Sequence, residues 1–224
     1  FEESFGDVVS LTHYKSLSEL SCDNAFFIAN EIFDAFPCEL YFKGKTGSVN
    51  GHDVAFDIDD AWVEEKAKKY HKDRGEIARG YEEFAQEMAS SAKTFEFMTF
   101  DYGEMQARPD FSLRVYVEHK VIPFFLEEGE EDFVKHEELF SKSDITYDVT
   151  FEHVKDAYEE AGVEFIELKA QMVALVDMGV LDLLEILKEN VDDKIYKQEL
   201  EKVKMLILPN FLGERFKMAR FRNS

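Results

Sequence analysis

Short runs of β-branched and aromatic residues alternate along this chain with longer segments in which apolar residues recur at helical spacing. The short runs are bounded by polar residues, which is typical of strands in a sheet that is covered by helices. This alternation predicts an α/β fold. Strands are expected near residues 8–12, 25–30, 95–100, 163–168 and 216–221. Those near 25–30 and 95–100 are expected to be buried strands of the parallel type.

Four segments have the periodicity of helices, with apolar residues three and four positions apart. Residues 76–93 and 151–161 each place these residues on one face. Residues 171–187 predict a mostly buried helix with a break at Gly179, and residues 196–207 predict a further helix.

The region between the second and third expected strands is predicted to be an insert. Its Asn50-Gly51 pair is a strong signal for a tight hairpin turn, and the residues on either side have the composition of β-strands. The predicted organisation is a core made of residues 1–37 and 94–224, with a hairpin-plus-helix insert at residues 38–93.

The net charge of the chain is strongly negative. The 26 Lys and Arg residues against 48 Asp and Glu residues give a formal charge of -22. Such a charge argues against nucleic acid or an anionic membrane as a partner, and it suits a basic peptide or an arginine-bearing protein surface. An excess of acid that serves only solubility is the alternative, and on charge alone it is the favoured one.

The cysteines and the apolar runs limit the cellular setting. Cys22 and Cys38 have neither metal-ligand spacing nor the density of a disulfide framework, so a reducing compartment is expected. No apolar run reaches the roughly 18 residues of a membrane span, and no signal-peptide pattern opens the chain. The six histidines have no paired spacing, so no metal site is predicted.

Carboxylates and an amide directly follow two of the expected strands. Asn30, Glu31 and Asp34 come after one strand, and Asp101 and Tyr102 come after the next. Ligands of open α/β sheets bind outside the carboxyl ends of the strands, so these residues are expected on one rim. Two carboxylates at this spacing suit acid–base chemistry, metal binding or a clamp on a guanidinium. The alternative is that Asp34 caps a helix and Glu31 is solvated.

Two further candidates are weaker. His119 lies between aromatic and apolar residues, and a lone histidine of this kind is more often structural than catalytic. Asp144 begins the stretch DITYDVTF, which by itself indicates a turn before a strand or helix. No phosphate-binding loop, nucleophile elbow or dinucleotide-binding glycine motif is present. The residues alone predict an α/β ligand-binding protein with an acidic rim.

Seven stretches together resemble the MidA-type S-adenosylmethionine-dependent methyltransferases, a family that includes the mitochondrial arginine methyltransferase that helps to assemble respiratory complex I. Each stretch alone is a weak signal, but seven in the same order with similar spacing are specific. The similarity runs from about Thr12 to the C-terminus. The stretches are HYKSLSEL, FFIANEIFDAFPCELY, FMTFDYG, LRVYVEH, SDITYDVTFEHVKDAYEEAG, AQMVALVDMGVLDLL and LPNFLGERFKMARF.

The resemblance implies a class I, Rossmann-like methyltransferase sheet whose last strand runs antiparallel to its neighbours. It also implies a C-terminal fragment, because the family's glycine-rich loop and the acidic residue that hold the cofactor are expected upstream of Phe1. The sheet would then be incomplete at its N-terminal side, and the fragment would be inactive. The sequence departs from the family pattern at Asp148 and Thr150, where the family has His and Asp.

By the same resemblance, the activity implied is S-adenosylmethionine-dependent N-methylation of an arginine on a protein client, in support of respiratory complex assembly. Glu31 first and Asp34 second would clamp the guanidinium. Asn30 would orient the reacting nitrogen or the cofactor. His119 or Asp144 would accept the proton after transfer.

The resemblance also implies the remaining contacts and the partner. Ser16 and Leu17 are candidates for the adenine side of the cofactor site, and Asp101 and Tyr102 are candidates for binding the substrate. The implied partner is a protein with an exposed arginine, in the bacterial cytoplasm or, as the alternative, the mitochondrial matrix. The alternative function is a non-catalytic assembly factor that binds a basic client.

Overall fold

The computed structural model describes residues 10, 12–51, 53–117, 120–126, 129–130, 138 and 142–224. Twelve strands lie within these residues: β1 (Cys22–Asn30), β2 (Cys38–Phe42), β3 (Lys45–Asn50), β4 (Asp53–Ile58), β5 (Arg74–Ala78), β6 (Ala92–Glu104), β7 (Arg114–Val117), β8 (Lys120–Pro123), β9 (Asp144–Thr146), β10 (Val149–Thr150), β11 (Glu164–Ala170) and β12 (Phe216–Asn223). Six α-helices have their bounds in the same ranges: α1 (Ala61–Lys69), α2 (Tyr81–Ser91), α3 (Phe151–Glu160), α4 (Gln171–Asp177), α5 (Val180–Asn190) and α6 (Asp193–Ile207).

The central sheet has the strand order β1-β6-β12-β11. β1 and β6 are parallel, and Asn30 lies opposite Phe100 at their carboxyl ends. β12 is antiparallel to both β6 and β11. The predicted α/β class and the antiparallel last strand are therefore confirmed. The strand expected near residues 8–12 falls largely outside the described residues.

β1 differs from the sequence prediction in its burial. Within the described residues it pairs only with β6 and therefore lies at the edge of the part of the central sheet that they form. Phe27 packs on the core, with its ring 5.4 Å from that of Phe95, but Phe26 and Ile28 on the opposite face are 57% and 67% exposed. The prediction that this strand is fully buried is wrong, because only one of its two faces is covered.

The core consists of aromatic side chains packed between the central sheet, α2 and α3. Phe33, Phe97 and Phe221 are fully buried. Tyr158 of α3 stacks on both Phe97 and Phe221, with ring centroids 5.4 and 4.4 Å apart. Phe33 follows β1 directly, so its burial fixes the position of the chain at the rim of the sheet.

Residues 38–78 form a second sheet with the strand order β4-β3-β2-β5. Asn50 pairs with Asp53 across a tight turn, which confirms the predicted hairpin. The helix predicted at residues 76–93 begins only at Tyr81, because Glu76 and Ile77 belong to β5. The apolar spacing was misleading there, because the buried residue Ile77 belongs to a strand and not to the helix.

The helices α4 to α6 contradict a second prediction of burial. Gly179, with a φ of 87°, separates α4 from α5, as expected. Leu183 and Ile186 of α5 are nevertheless 63% and 57% exposed, and Leu184 is the one buried residue of that helix. Their apolar residues follow helical periodicity, but no described element covers them. None of the helices in the described ranges is long and apolar enough to cross a bilayer.

A third, small sheet with the order β8-β7-β9 stands next to the carboxyl end of β6. The chain passes from it into β10, which is parallel to the end of β6 with Val149 opposite Gly103. A Cβ at Gly103 would meet the Val149 carbonyl oxygen at 2.1 Å, and its φ is +143°. A glycine is therefore required at the point where this layer joins the central sheet.

Candidate functional site

Asp101 anchors the turn that follows β1. It is fully buried, and its Oδ2 accepts hydrogen bonds from the backbone N–H groups of Ile32, Phe33 and Asp34 at 3.1, 2.8 and 3.4 Å. Its Oδ1 accepts from the backbone N–H of Tyr102 at 2.9 Å. Burial and the charge of Asp34 raise the pKa of Asp101 to about 7. This carboxyl group holds the backbone of the turn in place.

Glu31 occupies an unusual backbone conformation at the end of β1. Its φ is +51°, which is uncommon for a residue with a side chain. Its N–H donates to the Phe100 carbonyl oxygen at 2.9 Å, and its Oε1 accepts from the side-chain amide of Asn30 at 3.0 Å. Both side chains are exposed. The end of the parallel pair thus directs a carboxylate and an amide into solvent.

Asp34 is 1% exposed, yet neither of its carboxyl oxygens has a hydrogen-bond partner. Burial and then the charge of Glu31 raise the pKa of Asp34 to about 6, although Arg114 acts in the opposite direction. A buried carboxyl without partners is costly, because its lost hydration is not replaced. Its retention at a strand end is typical of a ligand-binding group.

Arg114, the first residue of β7, lies beside this turn. It is 7% exposed, and its Nη1 donates to Asp148 Oδ1 at 2.7 Å. Its guanidinium also lies over the ring of Tyr102, 5.0 Å from the centroid. Burial lowers the pKa of Arg114, but Asp148 and Tyr116 outweigh burial and raise it. Its Nε and Nη2 have no hydrogen-bond partner.

Unpartnered polar atoms are concentrated at this rim. Among the described residues, six buried side-chain atoms have no partner, and five belong to Asp34, Arg114 and Thr146. Thr146 lies opposite Arg114 in the β7–β9 pairing, and the backbone N–H of Tyr147 donates to the Asp34 carbonyl oxygen at 3.2 Å. We call these three residues the rim cluster.

The predicted site residues fall into separate groups. Asn30, Glu31, Asp34, Asp101 and Tyr102 do come together at one rim, with Tyr102 half-buried. Asp144 is exposed and pairs with Tyr116, so it is near this group. His119 lies outside the described residues.

Ser16 and Leu17 lie elsewhere. They precede β1, whereas Asn30 ends it, and a nine-residue strand is about 30 Å long. Ser16 caps the short turn Leu17–Glu19 by accepting from the Ser18 N–H at 3.2 Å. The structure does not bring these two residues together with the rim.

Sequence reasoning assigned no role to four residues of the rim: Arg114, Thr146, Asp148 and Arg215. The Arg215 guanidinium lies 5.2 Å from the Tyr102 centroid, and Asp148 accepts from Arg108 as well as from Arg114. The family resemblance included Arg114 and Thr146 in its stretches and marked Asp148 as a departure, but residue type and spacing by themselves indicated no role for any of the four. No group of three or more metal-ligating side chains occurs in the part of the chain that the structure describes.

The sequence matches the family described as "putative S-adenosyl-L-methionine-dependent methyltransferase" over residues 3–168. The chain belongs to this family. The match covers more than half of the chain and includes every residue of the rim except Arg215. The predicted cofactor, S-adenosylmethionine, is confirmed at the level of the family. No curated protein matches the sequence. The narrower MidA-type resemblance stays a prediction.

Two crystal structures of one superfamily from Burkholderia thailandensis have a similar fold. One, with S-adenosylhomocysteine bound, has a TM-score of 0.70 and 20% sequence identity, and the similarity covers 88% of this chain and 53% of that one. The other, a native structure, has a TM-score of 0.70 and 21% identity, with 88% and 55% covered. The chain thus spans about half the length of these structures. At this identity, the similarity establishes the fold.

Proposed function

We propose that this protein is an S-adenosylmethionine-dependent methyltransferase that acts at the rim where β1 and β6 end, with an arginine of a protein client as the acceptor. The observation that supports this most is that the family match at residues 3–168 contains all the charged residues of the rim except Arg215. The arginine acceptor rests on the MidA-type resemblance and on the acidic groups at the rim.

The residues of the rim fit the charges of the proposed cofactor. S-adenosylmethionine has a sulfonium, an α-ammonium and an α-carboxylate. The rim offers the unpartnered carboxyl group of Asp34 and the unpartnered Nε and Nη2 of Arg114, and the exposed carboxylate of Glu31 lies at the end of β1. The α-ammonium and the α-carboxylate therefore each have a group of opposite sign available, and Glu31 is left for a cationic acceptor.

Glu31 is the residue that we assign to the acceptor. When bound, the cofactor supplies an electrophilic methyl group for an in-line displacement, so the protein chiefly has to position the acceptor nitrogen. A guanidinium is a poor nucleophile because it stays protonated and its lone pair is delocalised. A carboxylate that accepts its N–H bonds would fix its plane and draw positive charge away from the reacting nitrogen.

Asp34 is less suited to the same task. Arg114 stands beside it, and a second guanidinium brought to Asp34 would meet that positive charge. We therefore assign the clamp to Glu31, with Asn30 orienting its carboxylate through the 3.0 Å hydrogen bond. Asp144, exposed at the start of β9, is the candidate among the described residues for accepting the proton that leaves the acceptor nitrogen.

The test is methyl transfer to proteins of a lysate from cells that lack this protein. Full-length protein and labelled S-adenosylmethionine are added, and methylarginine is quantified by mass spectrometry. Glu31→Gln should lower the rate about a hundredfold or more, because it keeps the size and removes the charge. Glu87→Gln, on the exposed side of α2, is the matched control and should not alter the rate.

Two outcomes would overturn the proposal. If the full-length protein gave no heat on titration with millimolar S-adenosylmethionine, the non-catalytic assembly factor would replace the enzyme. If a correctly folded Glu31→Gln variant methylated arginine at the wild-type rate, the clamp would be abandoned. Support of respiratory complex assembly is tested separately, since cells without the protein should contain less assembled complex on native gels.

A further inference from the structure

Arginine binds a carboxylate side-on through Nε and Nη2, because these two N–H groups point in the same direction. In this chain, two arginines donate from Nε and Nη2 to one carboxylate, that of Glu96. Arg220 donates from Nε and Nη2 to Glu96 Oε2 at 3.0 and 2.7 Å, and Arg222 donates from the same atoms to Glu96 Oε1 at 3.1 and 2.7 Å. In both arginines, therefore, the Nε and Nη2 donors are hydrogen-bonded to a carboxylate oxygen.

In Arg114 the same pair is free. Its Nη1 is bound to Asp148, which fixes the guanidinium and compensates its charge from one side. Nε and Nη2 are buried and have no partner. Buried N–H groups are nearly always hydrogen-bonded in folded proteins. The open pair is thus a rigid, planar donor site of the kind that matches a carboxylate.

The acceptors of the rim cluster are free as well. Both carboxyl oxygens of Asp34 lack a partner, and so does the Thr146 hydroxyl. Arg114 and Asp34 lie on adjoining segments, because Arg114 pairs with Thr146 and the next residue, Tyr147, donates its N–H to the Asp34 carbonyl oxygen at 3.2 Å. The guanidinium accordingly lowers the pKa of Asp34 against the effect of burial. A ligand that satisfies both must present an anionic, planar acceptor and a cationic donor side by side. A guanidinium has only donors, and a phosphate or a lone carboxylate has only acceptors, so neither satisfies the cluster.

An α-amino acid group has this combination. We propose that Arg114 and Asp34 together bind the aminoacyl end of the cofactor, with the α-carboxylate on Arg114 Nε and Nη2 and the α-ammonium on the Asp34 carboxylate. The inference rests on the proposed function only in taking S-adenosylmethionine as the cofactor. It does not depend on which group accepts the methyl.

The experiment compares two ligands by isothermal titration of the full-length protein. S-adenosylhomocysteine contains the aminoacyl group, and 5′-methylthioadenosine has the same nucleoside and thioether without it. Arg114→Gln should weaken binding of S-adenosylhomocysteine on the order of 10- to 100-fold, as expected for a charge-assisted bidentate contact. Binding of 5′-methylthioadenosine should not change. Arg220→Gln removes a filled pair on β12 and should alter the affinity for neither ligand.

A second variant covers the case in which Arg114→Gln does not fold, because the substitution leaves the half-buried Asp148 with Arg108 as its one remaining cationic partner among the described residues. The double variant Arg114→Gln/Asp148→Asn removes both charges together and should show the same selective loss. Asp34→Asn should also weaken binding of S-adenosylhomocysteine and leave that of 5′-methylthioadenosine unchanged.

The outcomes separate this inference from the proposed function. If the wild-type protein binds both ligands and the Arg114 and Asp34 variants bind them as tightly, the aminoacyl subsite is refuted and the methyltransferase proposal stands. If the variants lose affinity for both ligands equally, these residues serve the fold rather than the aminoacyl group, which also refutes the subsite. If the wild-type protein binds neither ligand, both proposals fail.

Discussion

Two buried polar clusters of this molecule differ in whether the fold satisfies them. The inner cluster, made of Lys72, Glu76 and Ser112, is closed. Glu76 is 4% exposed and accepts from the N–H and hydroxyl of Ser112 and from the Leu113 N–H at 2.8, 3.1 and 2.8 Å. Lys72, 6% exposed, donates to the Glu76 carbonyl oxygen at 2.7 Å.

The rim cluster is open, as described above for Asp34, Arg114 and Thr146. In both clusters, removing polar and charged groups from water costs free energy. Only in the inner cluster are the lost hydrogen bonds to water replaced by hydrogen bonds within the fold. The inner cluster ties β5 to the segment before β7. The rim cluster lies where strands end, which is where ligands of α/β sheets bind. The difference indicates that the first cluster stabilises the fold, whereas the open second cluster fits our proposal that it binds a ligand, at a cost in stability.

The largest expected effect comes from breaking the closed cluster. Glu76→Ala leaves three donors without their acceptor and the Lys72 ammonium without its nearby charge. We expect a loss of about 3–5 kcal/mol in the free energy of unfolding, because several buried donors lose their acceptor and a buried ammonium loses the compensating charge. Urea unfolding followed by circular dichroism measures it. Glu87→Ala, at an exposed position, is the control, and an equal loss in both variants would show that Glu76 is not part of a stabilising network.

A smaller effect is expected at the carboxyl group that links the sheet to the rim. Asp101→Asn turns an acceptor of four backbone N–H groups into one that can accept with a single oxygen. The free energy of unfolding should fall by about 1–3 kcal/mol, partly offset because a buried charge is removed. The same substitution at Asp34, whose carboxyl oxygens make no hydrogen bond of normal geometry with the described residues, should not destabilise the protein. Equal losses at both positions would remove the distinction between the two carboxyl groups.

The sequence alone predicted the elements whose pattern is local. The strand ending at Asn30 and most of β6 were recognised by their aromatic and β-branched residues, and the helix Phe151–Glu160 by its periodicity. The end of β6 was predicted too early, because the strand continues through Asp101 and Tyr102 to Glu104. The rule that ligands of α/β sheets bind at the carboxyl ends of the strands then predicted that five acidic and polar residues lie on one rim, as the structure shows. They are Asn30, Glu31, Asp34, Asp101 and Tyr102. The start of helix α2 was predicted too early, because Ile77 fits the periodicity of a helix as well as that of a strand.

Other features depend on contacts between distant parts of the chain, which no local pattern encodes. Arg114 and Asp148 are 34 positions apart, and their burial becomes apparent only when the small third sheet packs on the rim. Lys72 and Glu76 have the residue types of a solvated surface, so nothing in the sequence indicated a buried cluster. The exposed apolar residues of α5 were assigned to a core because periodicity shows which face is apolar, not whether another element covers it.

The smallest effect in this comparison is a dependence of stability on pH. Burial and Glu31 raise the pKa of Asp34 to about 6, above its value in the unfolded chain, so the folded state binds this proton more tightly. Stability should therefore fall as the pH rises from about 4 through 6. Asp34→Asn removes this contribution. The free energy of unfolding of wild type minus variant should decrease by on the order of 1 kcal/mol between pH 5 and pH 8. A constant difference would mean that Asp34 ionises as freely as in the unfolded chain.

The most direct test of the open rim cluster is the melting temperature of wild-type protein and Asp34→Asn, each measured at pH 8 with and without saturating S-adenosylhomocysteine. Without ligand, the variant should melt at the same temperature or higher, because it no longer buries an unpartnered carboxylate. A ligand at a hundredfold its dissociation constant stabilises the folded state by about 2.7 kcal/mol. The melting temperature of the wild type should therefore rise more on addition of ligand than that of the variant, because the variant binds the ligand less tightly. The account would be contradicted by a variant that melts at a lower temperature than the wild type without ligand and whose melting temperature rises as much with ligand. Asp34 would then stabilise the fold and have no part in binding.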